Sequence, residues 1–429
     1  MNRKPAEKYM VDVLGCKVNQ YDAQQIGQLL ERYGLHQTNE TGDADVIVVH
    51  TCGVTATATQ KSRQCIRRLQ RDNPLAHVIV TGCAANEKLT RVDQNPVFRV
   101  PAGPDWLQRL AEQMDALVKP DSGIADEIET DTFTISSFGD QTRAFLKVQD
   151  GCDIGCSFCI VPQLRKGPRD KSIGVAVREA TALAHQGYRE IVVTGVSVGL
   201  YGRDTGDSLA ALLYKLAEVP DIERIRLSSL HPGELTDELL DVWASSPKIM
   251  PHLHLSLQSG STAMLQAMRR GYTAEEYYDA VERARTTLAD PAFTTDVIVG
   301  FPGETDVLFE EGIDFCKKVG FSRMHVFTYS PRPNTPAARM GGQINGRIAA
   351  ERSERLRALG REMARKYHRR FIGQEVEVLI EDICSGVAHG YSEHYIPVEF
   401  QTGLNHRNTV ATVMVSEASA SGISGANRL

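Results

Sequence analysis

The most informative part of this chain is Gly151-Cys152-Asp153-Ile154-Gly155-Cys156-Ser157-Phe158-Cys159-Ile160. Its three thiols, on Cys152, Cys156 and Cys159, fall within eight residues, so one short loop can turn all of them inward. Thiolate sulfur is a soft ligand that favours zinc or an iron–sulfur cluster over magnesium or calcium. Because three ligands are one fewer than a closed zinc site or a fully protein-ligated cluster needs, we predict a metal centre with one open position. A closed zinc loop and a disulfide are the alternatives.

Length and composition are those of an ordinary globular chain. The 429 residues predict about two to four domains, and contents of 42% hydrophobic and 24% charged residues are typical. The net charge of −6 argues against a uniformly basic nucleic-acid binder but not against a local basic face. Nine cysteines without a disulfide-like pattern indicate a reducing compartment. Since no apolar run suits a membrane span or a signal peptide, we expect a cytoplasmic protein.

Upstream of the cysteine loop, residues 9–95 alternate predicted strands and helices. The strands are 9–14, 45–50 and 77–81, and the helices between them are 19–33 and 57–71, an order that implies a small parallel sheet. Cys16, Cys52 and Cys83 each follow one of these strands. Because ligands bind outside the carboxyl ends of strands in such sheets, we predict a second three-cysteine metal site. The alternative is that these cysteines are small buried hydrophobes.

Downstream of the loop, residues 142–336 repeat a strand–helix pattern six times. Six βα units predict a partial parallel barrel, whose chemistry belongs at the carboxyl ends of the strands. The residues that follow the strands include Gly195, Ser229 and Gln258, and such residues allow close backbone approach or supply hydrogen bonds to a ligand. The predicted strands are 144–149, 190–194, 224–228, 252–256, 293–299 and 323–329.

Three further segments have distinctive charge. The connection 107–140 is predicted to begin with a helix that ends near Val118, and its acidic residues 121–133 then predict a solvated linker. Residues 164–172 carry Arg165, Lys166, Arg169 and Lys171, which suit either a solvated loop or contacts to an anionic substrate. A helix predicted over 346–370 has nine Lys or Arg and three Glu from Arg347 to Arg370, so it is a solvated face or a surface for RNA phosphates.

The texture of the chain changes near Phe371. Short alternating segments separated by glycine and polar residues predict a small β-barrel over 371–417. Tyr391 and Tyr395 could stack on bases there, although core packing is the commoner fate of a strand tyrosine. The final residues, 418–429, are rich in Ser, Ala and Gly and predict a disordered tail. Ordinary packing is expected for Cys65, Cys316 and Cys384.

Several motifs resemble one known family. LGCKVNQYD (14–22), HTCGVTATATQKSRQ (50–64), VTGCAAN (80–86) and the cysteine loop are similar to the methylthiotransferases, a branch of the radical S-adenosylmethionine (SAM) enzymes. TGVSVGLYG, SLQSGS, MRRGYT and DVIVGFPGET also resemble stretches of that family, and GQEVEVLIE resembles its TRAM domain. LGCKVN is similar to the group that acts on N6-threonylcarbamoyladenosine in tRNA; sister groups usually carry other residues after that cysteine. His50, where the family usually has asparagine, and Lys166, inserted in an Arg-Gly pair, are departures.

The resemblance implies an α/β chain of three folded units. They are an N-terminal methylthiotransferase domain (1–106), a central partial (β/α)6 radical SAM barrel (141–370) after the linker, and a C-terminal TRAM-like RNA-binding barrel. Two [4Fe–4S] clusters are implied, one on Cys152, Cys156 and Cys159 and one on Cys16, Cys52 and Cys83. For SAM, the resemblance implies Gly195 near the amino group, Ser229 and Gln258 near the ribose or carboxylate, and Phe158 beside the adenine. No side chain is assigned as a catalytic acid or base.

The implied activity is insertion of a methylthio group at C2 of N6-threonylcarbamoyladenosine at tRNA position 37. A radical derived from SAM would remove the C2 hydrogen, which no side chain can remove as a proton, and a second SAM would methylate the transferred sulfur. The expected partners are the tRNA anticodon loop and an electron donor such as flavodoxin or ferredoxin. The alternatives are action on isopentenyladenosine in tRNA, action on a ribosomal-protein side chain, and a non-catalytic iron–sulfur or RNA-binding protein.

Overall fold

The computed structural model of the protein describes residues 6–86, 97–120, 122–403 and 406–427. These residues form two parallel α/β units and a closed β-barrel, which confirms the predicted fold class. Within the described residues, no helix is both long and apolar enough to cross a bilayer.

The N-terminal unit is a parallel sheet with the strand order β2-β1-β3-β4-β5. Its central strand β3 is buried along its whole length, as expected for a parallel strand covered on both faces. The three predicted strands and both helices are present; the edge strands β2 and β5 were not predicted, and β2 is too short to show a period. The elements are β1 (Lys8–Val13), α1 (Lys17–Arg32), β2 (His36–Gln37), β3 (Val46–Thr51), α2 (Ala56–Asp72), β4 (His77–Gly82) and β5 (Val97–Pro101).

The helix predicted up to about Val118 is present, but the acidic stretch 121–133 differs from the solvated linker that was predicted. Helix α3 (Trp106–Leu117) packs its apolar side against the N-terminal sheet. Beyond it, Ala125, Ile128 and Phe133 are buried in the same apolar core. The acidic residues that suggested a linker alternate with these apolar ones, so packing of the apolar residues makes the segment part of the N-terminal unit.

The central unit contains all six predicted parallel strands, in a partial barrel. The strands lie in two sheets, β7-β6-β8-β9 and β10-β11-β12, which isolated bridges between Ile225 and Ile249 and between Leu230 and Leu255 connect. The strands are β6 (Arg143–Asp150), β7 (Arg169–Asp170, antiparallel to β6), β8 (Glu190–Gly195), β9 (Arg224–Leu227), β10 (His252–His254), β11 (Ala292–Val299) and β12 (Arg323–Thr328).

Most barrel helices begin at a Ser or Thr N-cap, which fixes where each strand-to-helix loop ends. The cap hydroxyl accepts a backbone N–H of the first turn, as Thr273 does from Glu276, whose carboxylate completes a capping box. The helices are α4 (Val161–Leu164), α5 (Ile173–His185), α6 (Leu209–Ala217), α7 (Asp237–Ser245), α8 (Thr262–Ala267), α9 (Ala274–Thr287), α10 (Asp306–Val319) and α11 (Gly346–Arg369).

The C-terminal unit is a closed barrel of order β13-β14-β15-β17-β16. Its strands are β13 (Glu375–Cys384), β14 (Val387–Ser392), β15 (Pro397–Gln401), β16 (Val410–Ala418) and β17 (Ile423–Asn427). The prediction of a disordered tail over 418–429 is therefore wrong for the residues up to Asn427; Arg428 and Leu429 lie outside the described residues.

Close packing explains the small residues of this C-terminal segment. A Cβ added at Gly425 would lie 2.0 Å from the Met414 carbonyl oxygen, and one at Gly422 would lie 2.4 Å from that of Pro397. Small residues are therefore needed where β17 closes the barrel, and Ile423 supplies its buried apolar anchor. The high content of small residues, which predicted disorder, is instead explained by the close approach of neighbouring backbones in the barrel.

Candidate functional site

The loop that carries Cys152, Cys156 and Cys159 leaves the carboxyl end of β6. Gly151 begins it with φ +77°, and a Cβ there would lie 2.3 Å from the Gly167 carbonyl oxygen, so the turn requires glycine. Ser157 fastens the loop to the end of α8, because its N–H donates to the Met268 carbonyl at 2.9 Å. The loop is thus held on the rim where the barrel strands end.

A cavity of about 210 Å³ opens beside these three thiols. Three of the four predicted SAM contacts, Phe158, Ser229 and Gln258, line it. Gly195 is not among its lining residues, whereas the two residues after it are. A Cβ on Gly195 would lie 2.8 Å from the Cβ of Gln149, so its missing side chain serves packing within the sheet. The other lining residues are Cys152, Ile154, Cys156, Cys159, Val161, Val196, Ser197, His231, Ser256 and Arg270.

Arg270 and His231 are cavity residues that the sequence analysis did not assign a role. Arg270 donates from Nη1 to Cys156 Sγ at 3.2 Å and from Nε to the Tyr272 hydroxyl at 3.0 Å, and its Nη2 lies 3.1 Å from His231 Nε2. Burial, together with the adjacent guanidinium, lowers the pKa of His231 to about 3, so the neutral ring accepts the Arg270 hydrogen. Arg270 lies in the motif MRRGYT, and His231 lies two residues after Ser229, but the contact between them could not be read from the sequence.

Burial also sets the state of the thiols around the cavity. It raises the pKa of Cys159 to about 12, and it raises the pKa of Cys152 above the usual value for a thiol. These thiols therefore hold their protons at neutral pH until a metal displaces them. The carboxylate of Glu234 accepts a hydrogen bond from the backbone N–H of His231 at 2.7 Å. Burial raises the pKa of Glu234 to about 7.

The second cysteine triplet occupies the carboxyl edge of three adjacent strands. Cys16 follows β1 and precedes α1, Cys52 follows β3, and Cys83 follows β4. A Cβ on Gly15 would lie 3.1 Å from Cys52 Sγ, which shows how closely the first two loops approach. Burial raises the pKa of Cys52 to about 11, and the neighbouring thiols of Cys83 and Cys16 contribute. The topological prediction that these three cysteines come together is thus matched by their positions.

In the part of the chain described, no three His, Cys, Asp or Glu side chains converge on a point where they would hold a single metal ion. A cubane cluster makes a different demand, because each thiolate binds a different iron. A cluster therefore does not require the three thiols of a triplet to meet at one point.

The second cysteine triplet contacts the segment that follows the first, across the boundary between the N-terminal and central units. Cys83 packs against Ile160, the residue after Cys159, and against Leu164. A second connection joins the units nearby, where Arg332 Nη2, after β12, donates to Thr59 Oγ1 on α2 at 3.1 Å. The N-terminal sheet edge consequently lies against the barrel rim.

A buried network of charges surrounds Arg165 at this boundary. Its guanidinium donates to both carboxylate oxygens of Asp150 at 2.9 Å, to Asp22 Oδ2 at 2.7 Å and to Asn19 Oδ1 at 2.9 Å. It also donates from Nε to Cys83 Sγ at 3.3 Å. Burial would raise the pKa of Asp22, but Lys147 and Arg165 outweigh it and hold that pKa well below its usual value. Arg165 thus links both units to a cysteine of the second triplet.

This network changes the interpretation of the basic segment 164–172. Arg165 and Lys171 are buried and paired, the first with Asp22 and Asp150 and the second with Glu179. Arg169 is half-buried beside Asp150. Lys166 alone of the four is exposed, so it is the member still suited to contact an anionic substrate.

His50 lies inside the same network. It is buried, its Nε2 lies 3.4 Å from Asp22 Oδ2, and its ring stacks at a tilt 5.7 Å from Trp106. Burial lowers the pKa of His50 despite the carboxylate, because Arg165 and Lys147 also disfavour a further positive charge. The ring is therefore neutral and fills space between sheet and network, which makes this departure from the family pattern structural.

The fold and the first cysteine site define a radical SAM enzyme. Residues 146–316 match the Radical SAM superfamily, and residues 8–100 match the uncharacterized protein family UPF0004. The fold is similar to that of the radical S-adenosylmethionine methyltransferase TsrM from Kitasatospora setae, with a TM-score of 0.57. The superposition covers 78% of this chain and 77% of that one. With 14% identity, this likeness concerns the fold alone.

Curated relatives narrow the assignment. The chain is 36% identical to threonylcarbamoyladenosine tRNA methylthiotransferase MtaB of Thermotoga maritima, over 91% of this chain and 90% of that protein. It is 37% identical to the protein of the same name from Bacillus subtilis, over 90% and 89%. It is also 36% identical to tRNA-2-methylthio-N(6)-dimethylallyladenosine synthase of Parafrankia sp., over 87% and 78%. The chain therefore belongs to the radical SAM methylthiotransferase family, and its cofactors include SAM and one [4Fe–4S] cluster.

Proposed function

We propose that this protein is a tRNA methylthiotransferase that acts at C2 of N6-threonylcarbamoyladenosine at position 37. The observation that carries the proposal is the pair of cysteine triplets at the carboxyl ends of strands in two units that pack together beside Cys83. A base held between them would contact one centre that generates a radical and another that supplies sulfur. A single-cluster radical enzyme would need only the triplet after β6.

Cys152, Cys156 and Cys159 are proposed to hold the [4Fe–4S] cluster, whose open iron binds SAM and supplies the radical chemistry. Phe158, Ser229 and Gln258 then contact SAM from the cavity walls, and the residues after Gly195 complete the rim. Arg270 restrains Cys156 through its hydrogen bond to Sγ. The low pKa of His231 leaves a neutral ring in the cavity, so Arg270 is the cation available for the SAM carboxylate.

Cys16, Cys52 and Cys83 are proposed to hold a second [4Fe–4S] cluster. Its support is their common position at one sheet edge, the burial of two of the thiols, and the hydrogen bond from Arg165 to Cys83. A guanidinium donor stabilises negative charge on sulfur, so it favours thiolate ligation over a protonated cysteine. This cluster is the proposed source or carrier of the transferred sulfur.

Two observations favour N6-threonylcarbamoyladenosine as the substrate over other modified adenosines. MtaB-named relatives match the chain over most of its length, and Lys17 completes the LGCKVN form typical of that group. The second candidate substrate is the dimethylallyl-modified adenosine, because a relative that acts on it is 36% identical.

Contacts to RNA are proposed for α11 and the C-terminal, TRAM-like barrel. Arg347, Arg365, Lys366 and Arg369 are exposed along α11, and the described residues offer them no carboxylate partner. A reduced flavodoxin or ferredoxin is the proposed electron donor, since the reaction consumes electrons that the chain does not itself supply.

Mass spectrometry of tRNA nucleosides from strains with and without the gene tests the proposal. We expect 2-methylthio-N6-threonylcarbamoyladenosine to disappear in the deletion strain and its unmethylthiolated precursor to accumulate. Loss of the dimethylallyl-derived product instead would favour the second candidate. An unchanged nucleoside profile would contradict tRNA modification and would direct the search to protein side chains.

A further inference from the structure

The interior of the central barrel is lined by polar and charged side chains. Strand side chains alternate between two faces, and residues such as Leu146, Val193 and Leu227 form the apolar layer beneath the helices. The alternate residues, among them Arg226 and Asp296, therefore face the inside of the barrel. The candidate SAM cavity lies at one end of this interior, where the strands finish.

Tyr395 of the C-terminal barrel closes the other end of the interior. Its hydroxyl accepts a hydrogen bond from Arg143 Nη1 at 2.8 Å, and its ring lies 4.7 Å from Arg226 Cζ and 4.8 Å from the His252 ring. The interior is thus a pocket that opens toward the cysteine triplets and ends at the docked C-terminal unit.

Lys17 enters this pocket from the N-terminal unit. It is the first residue of α1 and directly follows Cys16. The groups that act electrostatically on its ammonium are Tyr395, Arg143, Arg226 and Asp296. These groups come from the C-terminal unit and from three strands of the barrel and face its interior, so the Lys17 ammonium lies near that interior.

The other charges of the pocket are matched by partners. Glu190 pairs with Arg224 and Arg226, each at 2.9 Å, and Arg143 Nε pairs with Glu381 at 2.6 Å. Asp296 lies between two imidazoles, 3.4 Å from His254 Nε2 and 3.2 Å from His325 Nδ1. In contrast, among the described residues none forms a salt bridge or a hydrogen bond with the Lys17 ammonium.

Lys17 is half-buried, so its ammonium remains accessible from the pocket and is free to bind an anionic ligand that enters there. In adenine, C2 and C6 are both bonded to the ring nitrogen N1, and C6 carries N6. If C2 lies at the clusters, the substituent on N6 is therefore close by and can extend into the barrel. N6-threonylcarbamoyladenosine carries a carboxylate at the end of that substituent, whereas a dimethylallyl group is hydrocarbon and would leave the ammonium unpaired.

We propose that Lys17, beside Cys16 and at the mouth of the polar barrel interior, binds the threonyl carboxylate of the substrate and selects it over uncharged N6 substituents. The inference rests on the proposed function and adds to it the residue that determines specificity. Lys17 is a binding residue and takes no part in the radical or sulfur chemistry.

Equilibrium binding of three anticodon stem-loop RNAs to the reconstituted holoenzyme tests this role. The RNAs carry N6-threonylcarbamoyladenosine, its threonine methyl ester, or unmodified adenosine at position 37. The wild-type protein should bind the acid about 10- to 100-fold more tightly than the ester, as expected for a charge-assisted contact. Lys17→Met should bind the acid and the ester equally, while Lys17→Arg should keep a preference for the acid.

Lys8→Met is the matched control, because Lys8 is an exposed lysine of the same sheet and pairs with Asp43 at 3.0 Å. It should retain the full preference for the acid. A Lys17→Met protein with normal iron content that still prefers the acid would overturn the inference and leave the proposed substrate intact. If the wild-type protein binds the acid, the ester and the unmodified RNA equally, both the inference and the proposed substrate fail.

Discussion

At the scale of single residues, the proposed function assigns different roles to the two sets of cysteines. The triplet after β6 borders the candidate SAM cavity, and the other triplet lies at the edge of the N-terminal sheet. Each can be removed without touching the other, so the two roles can be tested one at a time.

Cys152→Ala should abolish SAM cleavage, and Cys52→Ala should leave it. Each substitution removes one of three ligands, so each should lower bound iron by about one cluster, or roughly four iron atoms per chain. Iron content and formation of 5′-deoxyadenosine by reduced, reconstituted protein provide the measurement. Cleavage by Cys152→Ala, or parental iron content in Cys52→Ala, would refute the corresponding assignment.

Arg165→Met should destabilise the protein by about 3–5 kcal/mol, because it leaves the buried carboxylates of Asp22 and Asp150 short of a partner. Thermal unfolding measures the effect. The control is Arg169→Met, which removes a half-buried cation 3.4 Å from the same Asp150 and should cost much less. Equal losses in the two variants would contradict the central place of Arg165 in the network.

The same network predicts a pH dependence. Lys147 and Arg165 outweigh burial and hold the pKa of Asp22 below its unfolded-state value. The stabilisation is therefore complete above about pH 4, the ordinary range for aspartate, and it is lost as pH falls through the lower folded-state pKa. Arg165→Met should show a smaller loss of thermal stability between neutral and acid pH than the parent does.

At the scale of secondary-structure elements, β17 is a strand in a segment whose composition predicted disorder. It pairs with both β15 and β16, so it closes the C-terminal barrel. A chain that ends at Ser421 loses these hydrogen bonds and the buried Ile423, and we expect a cost of about 3 kcal/mol or more.

Limited proteolysis and thermal unfolding of this truncated chain provide the test. The barrel of the truncated chain should become sensitive to protease, whereas a chain that ends at Asn427 should match the parent. Resistance of the shorter chain would show that β17 is dispensable.

At the scale of the whole molecule, the C-terminal unit is docked on the barrel rather than tethered beside it. Arg226 donates to the carbonyls of Ser392 and Glu393 at 2.7 and 2.9 Å, and Tyr395 closes the barrel interior. Deleting everything from Phe371 onward would therefore expose buried arginines as well as remove the proposed RNA contact of this unit. Substitutions on the surface test RNA binding more cleanly.

Combined alanine substitution of Arg365, Lys366 and Arg369 should weaken tRNA binding and reduce its salt dependence. Each lost phosphate contact should reduce the slope of log K against log salt by about 0.9. Binding titrations at several salt concentrations measure both effects. Arg355→Ala is the control on the same helix, because Arg355 is already paired with Glu310 at 2.7 Å. An unchanged affinity and slope would remove α11 from the RNA surface.

Much of this architecture was accessible from sequence because it depends on local order. Hydrophobic periodicity located all six strands of the central barrel and three of the N-terminal sheet, and the position of each cysteine after a strand brought the second triplet to one edge. Ser229 and Gln258 were singled out in the same way, as residues that follow strands, whereas Phe158 and the proposed SAM roles came from the family resemblance; all three line the cavity beside the first triplet.

The roles of the charged residues were decided only by the tertiary structure. Arg165 and Asp22 are 143 positions apart in the chain, yet they share a buried hydrogen bond, and Lys17 faces a tyrosine of the last unit. The sequence does not distinguish an ionised side chain that is solvated from one that is paired or one that binds a ligand. Which of these it is depends on partners that folding brings from distant segments, and on how much water their packing excludes.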